Sequence, residues 1–385
     1  MFCLSNAWGG LEKIAADDFL QLVAAGVQAK FVCLEGSPLD SFFKRRRALG
    51  VVSLSFRPRN VLDLRLGRWI RSEIKRGCNL IHLHQSSYLG SIVPWCLGKE
   101  PVTVVMSRHI LSDHSKKSPV HRFLYGRVDG VLTMSGPVKK NIIDTHPLRD
   151  SQVHIVPYGL DLTRFDPSKV NGKKTRASWG VSDDELVIGL VGRIDPAKGQ
   201  STLIHAAANL LKEPQRSGKL KFVIVGEETR GTRGTLTDLK ALVARFRLES
   251  YFVFTGYQDQ IPDLMAGLDI FVMPSRQETF GLVAIEAMAM GVPTLLSRGG
   301  SAVEIAGPSE EFAVLLRPDD PFDLAQKLKM LLSDPEALKR LSVNGMKHVR
   351  EKFSKERRLE ETLRRYYAWL SLKSVIPMDT SAAFL

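Results

Sequence analysis

The chain alternates short apolar, β-branched runs with amphipathic stretches of helical period almost from end to end. Apolar runs bounded by turn residues predict buried strands, and regular alternation of strand and helix predicts parallel sheets covered by helices on both faces. Strands are predicted at 2–5, 30–34, 51–56, 80–84, 102–107, 130–134, 153–156, 186–192, 221–226, 251–256, 269–274, 293–297 and 313–318. The sequence therefore predicts an α/β fold.

A polar segment rich in Pro and Gly separates two sets of predicted strands, and 385 residues suffice for two or three domains. We predict an N-terminal Rossmann-like domain at 1–162 and a second one at 163–353. A charged amphipathic helix at 354–372 is predicted to return to the N-terminal domain and to pack across the domains, followed by a loose tail at 373–385. Two such domains facing each other would leave a cleft at the carboxyl ends of their strands, where ligands of parallel sheets bind.

The composition is that of a globular protein, but its charge is unevenly distributed. With 44% hydrophobic and 25% charged residues, the chain is not a disordered, collagen-like or disulfide-scaffold protein. Residues 1–160 contain 22 Lys and Arg against 12 Asp and Glu, or +10, whereas the remainder has 32 against 29, or +3. This asymmetry indicates an anionic partner for the first half, such as nucleic acid, acidic lipid or a phosphorylated substrate, or a solvated basic face without a partner.

The cysteines and the hydropathy pattern suggest a location. The four cysteines form no C-x-x-C pair, so neither a zinc site nor a redox motif is indicated, and a reducing compartment is the simple interpretation. No run of 18 apolar residues could span a membrane as a helix. The N-terminus lacks the basic region and apolar core of a signal peptide, so a cytoplasmic protein is expected.

A turn with two cations follows the predicted strand at 186–192. It reads GRIDPAKG, with Arg193 and Lys198 flanked by glycines. Arg offers a planar fork and Lys a mobile charge, a combination suited to a diphosphate. A nucleotide-hydrolysing P-loop requires Gly-Lys-Ser or Gly-Lys-Thr, but Gly199 follows the lysine here. The alternative is a pair of solvated surface cations.

Two glutamates, Glu278 and Glu286, lie eight residues apart in the segment PSRQETFGLVAIEAMAMGVP. A helix is predicted to open near Phe280 and Gly281, where free N–H groups and the helix dipole favour a phosphate. A carboxylate on an otherwise apolar helix needs partners, and a ribose diol would satisfy Glu286. The alternatives are a salt bridge for Glu286 and an exposed loop carboxylate for Glu278.

The E-x7-E spacing together with the basic turn about 80 residues earlier resembles the retaining glycosyltransferases of family GT4, which have the two-domain GT-B fold. The resemblance covers nearly the whole chain. It implies that Arg193 and Lys198 hold the donor diphosphate, Glu286 the ribose hydroxyls and Glu278 the hydroxyls of the transferred sugar. It also implies that the loop 256–261 contacts the base. Backbone groups at four positions would add to the phosphate site: Phe280, Gly281, Leu282 and Val283.

Two segments of the first half also resemble the family. Ser107-Arg108-His109 resembles an element whose histidine reaches the transferred sugar, which makes His109 a candidate catalytic residue beside Glu278, Arg193 and Lys198. In LIHLHQ, His82 is expected in the core and His84 at the cleft. Gly9 and Gly10 would let a donor phosphate or an acceptor approach the backbone. The alternatives are a satisfied histidine at a strand end and a simple tight turn.

The resemblance implies a retaining transferase that moves a hexose-type sugar from a nucleotide-diphosphate donor, expected to be a UDP-sugar, to an acceptor hydroxyl. The absence of Asp-x-Asp from the sequence fits a metal-independent enzyme without a cofactor. The acceptor is expected to be a cell-envelope glycolipid or of lipopolysaccharide type. Rival interpretations are a nucleotide-sugar epimerase or a phosphorylase, which share two facing Rossmann-like domains, and a basic nucleic-acid-binding protein without catalysis.

The resemblance assigns the basic first half to the acceptor. We therefore expect this half to face an anionic membrane surface or a phosphorylated glycolipid on the inner face of the cytoplasmic membrane, and we expect no nucleic acid, because the one dense basic run lacks interleaved aromatic residues. The cations concerned are Lys44, Arg45, Arg46, Arg47, Arg57, Arg59, Arg65, Arg68, Lys116, Lys117 and Arg122.

Overall fold

A computed structural model describes residues 1–58, 63–98, 101–212, 219–229, 231–276 and 278–373. The chain divides into two compact units. The first unit contains Met1–Tyr158 and the chain from Glu356 onward, and the second unit is Gly159–Lys355. None of the helices in these described ranges has an apolar stretch that would span a lipid bilayer. The division falls close to the boundary predicted at 162.

The first unit alternates strands with helices. Its strands are β1 (Phe31–Leu34), β2 (Val51–Leu54), β3 (Leu80–Leu83), β4 (Thr103–Arg108), β5 (Gly130–Thr133) and β6 (Val153–Ile155). The helices that accompany them are α1 (Gly10–Ala24), α2 (Pro38–Arg46), α3 (Leu64–Lys75), α4 (Leu89–Ile92), α5 (Pro119–Tyr125) and α6 (Gly136–Thr145). The strand bounds agree with the predicted ones to within two residues.

The second unit shows the same alternation. Its strands are β7 (Leu186–Val191), β8 (Leu220–Val225), β9 (Phe252–Gly256), β10 (Ile270–Met273), β11 (Thr294–Ser297) and β12 (Val314–Leu316). Its helices are α7 (Gly172–Ser178), α8 (Gln200–Leu210), α9 (Thr235–Arg245), α10 (Ile261–Ala266), α11 (Leu282–Ala289), α12 (Ala302–Ala306), α13 (Pro321–Leu332) and α14 (Pro335–Lys352). Helix α15 (Lys355–Leu372) follows and is the last helix of the described residues.

The strands of the first unit pair in parallel, in the orders β1-β2 and β3-β4-β5-β6. Phe2 connects the two groups because its backbone bridges Val32 in β1 and Leu83 in β3. The strand predicted at 2–5 is therefore reduced to one bridging residue. The apolar strand residues are buried against helices on the sheet, as Phe19 of α1 packs on Phe31 of β1.

The second unit contains one six-stranded parallel sheet in the order β12-β11-β10-β7-β8-β9. The strand order reverses between β7 and β10, which are neighbours in the sheet although far apart in sequence. Ligands of such sheets bind at the carboxyl ends of strands near this reversal. Both units are thus Rossmann-like, as predicted.

Helix α15 belongs to the first unit, which confirms the prediction that the C-terminal helix returns to the N-terminal domain. Arg358 of α15 forms a buried, two-pronged ion pair with Asp18 of α1, with N–O distances of 2.6 and 2.7 Å. Tyr366 and Trp369 are buried in the same cluster as Val105 of β4. The helix begins at Lys355 rather than at 354, and residues 374–385 of the predicted tail lie outside the described part.

Candidate active site

The basic turn follows β7 and is held by one aspartate. The Asp195 carboxylate accepts a hydrogen bond from the Ala197 N–H at 2.9 Å and another from the Arg193 guanidinium at 2.8 Å. Gly199 has a φ of +77°, and a Cβ at this position would lie 2.2 Å from the carbonyl oxygen of Pro274. The turn therefore packs directly against the end of β10, which only glycine permits.

Lys198 and Glu278, which are 80 residues apart in sequence, form an ion pair with an Nζ–Oε2 distance of 2.7 Å. Their side chains are 28% and 18% exposed. The Arg276 N–H also donates to the carbonyl of Ala197 at 3.0 Å, so backbone and side chains both join the two loops. Glu278 is thus not the exposed loop carboxylate of the alternative interpretation, and both residues lie at the carboxyl edge of the sheet.

Helix α11 begins at Leu282, directly after the predicted opening near Phe280 and Gly281. Gly281 precedes it with a φ of +87°, and among the described residues no side chain caps the helix. Its first turn, with Leu282 and Val283, therefore presents backbone N–H groups suited to an anion. Phe280 is buried edge-to-face against Phe353 and fixes the entry of the chain into the helix.

Glu286 lies one turn into α11 and is half-buried, at the edge of an otherwise apolar helix. The loop between β9 and α10, where the resemblance places the base, follows a strand of the same sheet. The described residues of the second unit thus place Lys198, Glu278 and the α11 N-terminus in one region. Arg193 belongs to the same turn as Lys198 through its contact with Asp195.

In the first unit, His109 follows β4 and is buried between two side chains. Its Nδ1 lies 2.5 Å from the Tyr158 hydroxyl, and its Nε2 lies 3.4 Å from Nδ1 of His84. His84 is 1% exposed, and its Nε2 has no hydrogen-bond partner among the described residues, so its expected place at the cleft stays a prediction. Tyr158 and His84 therefore orient His109 from both sides.

His82 lies in the core, as expected, and extends the cluster. Its Nδ1 lies 2.5 Å from the Tyr366 hydroxyl of α15, and its Nε2 lies 2.8 Å from the Ser107 hydroxyl. Burial lowers the pKa of His84 to about 3 and holds the pKa values of His82 and His109 well below their usual range. The three imidazoles are therefore neutral near pH 7.

Gly9 and Gly10 lie at the start of α1. The Gly9 N–H donates to the Glu12 carboxylate at 2.8 Å, so this amide is already paired. Glu12 is buried, and a Cβ on Gly9 would lie 3.3 Å from its Oε2 atom. The turn is therefore hydrogen-bonded to Glu12 of its own helix, α1. The approach of a ligand to Gly10 stays a prediction.

The residues that sequence reasoning missed are those that hold the candidates in place. Asp195 was recognisable, because an Asp followed by Pro at a helix start is a capping signal. Tyr158 and Tyr366 carried no such signal, since their partners are far away in sequence.

Two family models match the chain, one in each half. Residues 8–164 match "Glycosyltransferase Family 4", and residues 171–348 match "Glycosyl transferases group 1". The second model covers the basic turn, Glu278 and Glu286, and the first covers Gly9, Gly10 and His109. Every predicted site residue therefore lies inside a matched segment.

Relatives and solved structures agree with these matches. The uncharacterized glycosyltransferase MJ1607 of Methanocaldococcus jannaschii is 30% identical over 300 residues, which cover 75% of this chain and 71% of that protein. D-inositol 3-phosphate glycosyltransferase 2 of Catenulispora acidiphila is 36% identical over 202 residues, or 51% of this chain and 46% of that protein. The chain thus spans about half the length of this relative and of two others that it matches.

The crystal structure of Anabaena Alr3699/HepE in complex with UDP and glucose shares the fold. It aligns with a TM-score of 0.79 and 21% identity, over 95% of this chain and 98% of that one. The paired Rossmann-like units are those of the GT-B fold. From the two family models and the archaeal relative, we conclude that the chain belongs to the group 1 glycosyltransferases, family 4.

Proposed function

We propose that the protein transfers a hexose from a nucleotide-diphosphate sugar, a UDP-sugar, to an acceptor hydroxyl, with retention of the anomeric configuration and without a metal ion. The observation that supports this most is the Lys198–Glu278 ion pair, formed between two loops at the carboxyl edge of the second unit's sheet. The UDP in the Anabaena structure, which shares the fold, agrees with this choice of donor.

The cations of the basic turn would bind the donor diphosphate. Lys198 and Arg193 each carry a positive charge toward it, and the first turn of α11 adds backbone N–H groups. Glu278 holds the lysine in place before the donor arrives, and then accepts hydrogen bonds from the hydroxyls of the sugar. Because these groups already offset the charge that develops on the leaving diphosphate, no divalent ion is required.

The proposed substitution occurs on one face of the sugar. The bond between the anomeric carbon and the diphosphate oxygen breaks, and the acceptor oxygen bonds to that carbon from the same side. The acceptor proton passes to the oxygen of the leaving phosphate, so no enzymic nucleophile is needed. Glu286 would bind the ribose hydroxyls, and the role of His109 toward the sugar stays a prediction.

For the acceptor, we propose a cell-envelope glycolipid or a lipopolysaccharide-type molecule with an anionic group. The first unit's excess of cations supports an anionic acceptor. The relative from Catenulispora acidiphila is named for an acceptor that carries a phosphate, which agrees with this choice. Arg59, one of the cations that the sequence indicated, lies outside the described residues.

A panel of nucleotide sugars tests the donor site through thermal shift and slow hydrolysis of the donor. We expect a UDP-sugar to raise the melting temperature of the wild type. Lys198→Ala should lower kcat by about 100-fold to 1,000-fold, as the loss of one oxyanion donor does elsewhere. Glu286→Ala should weaken nucleotide binding. The exposed residues Lys339 and Glu249 provide matched controls as Lys339→Ala and Glu249→Ala.

Four outcomes would contradict the proposal. The site is wrong if no nucleotide sugar stabilises the wild type, or if both site variants behave like their controls. Inversion at the anomeric carbon, observed by NMR of the first product, would exclude the same-face substitution. Loss of activity in EDTA, restored by a divalent ion, would exclude the metal-independent mechanism.

A further inference from the structure

One surface of the first unit combines exposed apolar side chains with cations. It consists of the loop after β4 and helix α5, residues 110–127, and we call it the α5 surface. Ile110, Val120 and Phe123 are 57%, 66% and 52% exposed there. Val120 and Phe123 lie three residues apart in α5 and therefore on the same side of the helix. Single exposed apolar residues are ordinary, but two on one side of a short helix, with a third in the loop that leads into it, indicate an interaction surface.

The exposure of these side chains is imposed by a well-anchored backbone. The Ser112 N–H donates to the Asn141 side chain at 2.8 Å, and the Asn141 amide donates back to the Ser112 carbonyl at 3.1 Å. The Lys116 N–H donates to the Thr145 carbonyl at 2.6 Å. Ser118 caps α5, whose first residue is proline. The fold therefore holds the apolar side chains outward.

The same surface is strongly basic. Lys117, Arg122 and Arg127 are exposed, Lys116 is partly exposed, and Asp113 is the one carboxylate in the segment. Across the described ranges, no carboxylate forms an ion pair with any of these four cations. Unpaired cations around apolar side chains complement an anionic lipid surface.

We infer that the α5 surface docks on an anionic bilayer, with Ile110, Val120 and Phe123 in the interfacial layer and the cations at the headgroups. The observations favour lipid over nucleic acid, because a single phenylalanine among aliphatic residues offers no series of stacking rings. The docking of the α5 surface does not depend on the proposed function. Only the further idea that the docked enzyme uses an acceptor carried by a lipid rests on it. The loop leaves β4 directly after His109, so a docked bilayer would lie close to the strand end where that residue is held.

Flotation with vesicles tests the inference on the full chain. Vesicles of phosphatidylcholine alone are compared with vesicles that also contain phosphatidylglycerol. We expect the wild type to float only with the anionic vesicles, and to do so less at high salt. The double variants Val120→Ser/Phe123→Ser and Lys116→Gln/Lys117→Gln should each reduce the bound fraction at least tenfold. Phe322→Ser and Lys339→Gln/Arg340→Gln, on exposed positions of the second unit, should bind like the wild type.

A fluorescence measurement checks insertion without removing apolar surface. Phe123→Trp should add emission that brominated lipid quenches, whereas the matched Phe322→Trp should not. The inference is wrong if the wild type does not bind anionic vesicles, or if both α5 double variants bind them as well as the wild type does. It is also wrong if brominated lipid quenches neither of the two introduced tryptophans.

Nucleotide-sugar hydrolysis in the same samples separates the two proposals. We expect Val120→Ser/Phe123→Ser to keep this activity, since neither residue contacts the donor region described above. If the wild type floats but binds no nucleotide sugar, the proposed function fails and the docking surface stands.

Discussion

Gly199 is the residue whose conformation most directly determines the position of Lys198. Its positive φ and its contact with the Pro274 carbonyl both exclude a side chain. We predict that Gly199→Ala pushes the basic turn away from β10, lowers the melting temperature and reduces kcat/KM at least tenfold. Thermal unfolding and steady-state kinetics with a UDP-sugar measure the two effects.

Gly180 provides the matched control because it also has a positive φ, of +67°, but a Cβ at this position would have no atom of the described residues within 4 Å. Gly180→Ala should lower the free energy of unfolding only by the strain of the left-handed conformation, about 1–2 kcal/mol, and should leave kcat/KM unchanged. Equal kinetic losses in both variants would show that the close approach at Gly199 does not position the lysine.

Tyr158 fixes the orientation of His109 through the hydrogen bond between the Tyr158 hydroxyl and Nδ1 of His109. Tyr158→Phe should lower the free energy of unfolding by about 1–2 kcal/mol, because a buried nitrogen loses its partner. The ¹⁵N shifts of the His109 ring should also move from one tautomer to a mixture. The exposed Tyr367, changed to Phe, should alter neither quantity. Unchanged ring shifts in Tyr158→Phe would refute the orienting role.

The sequence indicated single residues better than their contacts. Lys198 and Glu278 stood out because each follows a predicted strand, yet nothing in a separation of 80 residues predicts that they pair. His82 is joined to a tyrosine 284 residues away. Such contacts depend on the packing of elements, which residue type and spacing do not reveal.

At the scale of elements, α15 is attached to the first unit by the Arg358–Asp18 ion pair. Arg358 also donates to the carbonyls of Val156 and Pro157, both at 3.0 Å. Arg358→Leu leaves a buried carboxylate without its partner and should cost about 3–5 kcal/mol of unfolding free energy. Urea denaturation measures this loss.

A double-mutant cycle identifies the source of that loss. If the unpaired charge is responsible, adding Asp18→Leu to Arg358→Leu should recover a substantial part of the stability. Arg357→Ala, which removes an exposed pair with Glu360, should cost less than about 1 kcal/mol. Additive losses at Arg358 and Asp18 would contradict a coupled pair.

Most strands were predictable because buried parallel strands are short apolar runs between turn residues. The exception at 2–5 has a physical explanation. The run is apolar and buried, but only Phe2 forms strand-type bridges with its neighbours β1 and β3. Apolar character predicts burial, whereas a strand also requires a continuous hydrogen-bonding ladder.

At the scale of the whole molecule, the buried histidines make stability depend on pH. An unfolded histidine titrates near 6.5, whereas burial keeps His82, His84 and His109 neutral to much lower pH. Below about pH 6.5 the unfolded chain therefore binds protons that the folded chain does not. Stability should fall as the pH drops from 7 to 5, with a slope that approaches about 1.4 kcal/mol per pH unit for each histidine well below pH 6.5, as measured by urea denaturation.

Replacing one member of the cluster should reduce this dependence. His84→Asn should lower the slope of stability against pH by about 1.4 kcal/mol per unit. Gln28→Ala, which removes no titratable group from an exposed position of the first unit, should leave the slope as it is. A slope that His84→Asn does not change would mean that the imidazole is protonated equally in both states.

The chain leaves the first unit after Tyr158 and re-enters it at Glu356, so the second unit is encoded inside the first. Synthesis on the ribosome runs in one direction, and Asp18, His82 and Tyr158 emerge long before Arg358 and Tyr366. Until α15 is translated, the first unit lacks the partners of a buried carboxylate and a buried imidazole. The first unit, most of whose chain is synthesised before the second unit, is therefore completed only when α15 has emerged.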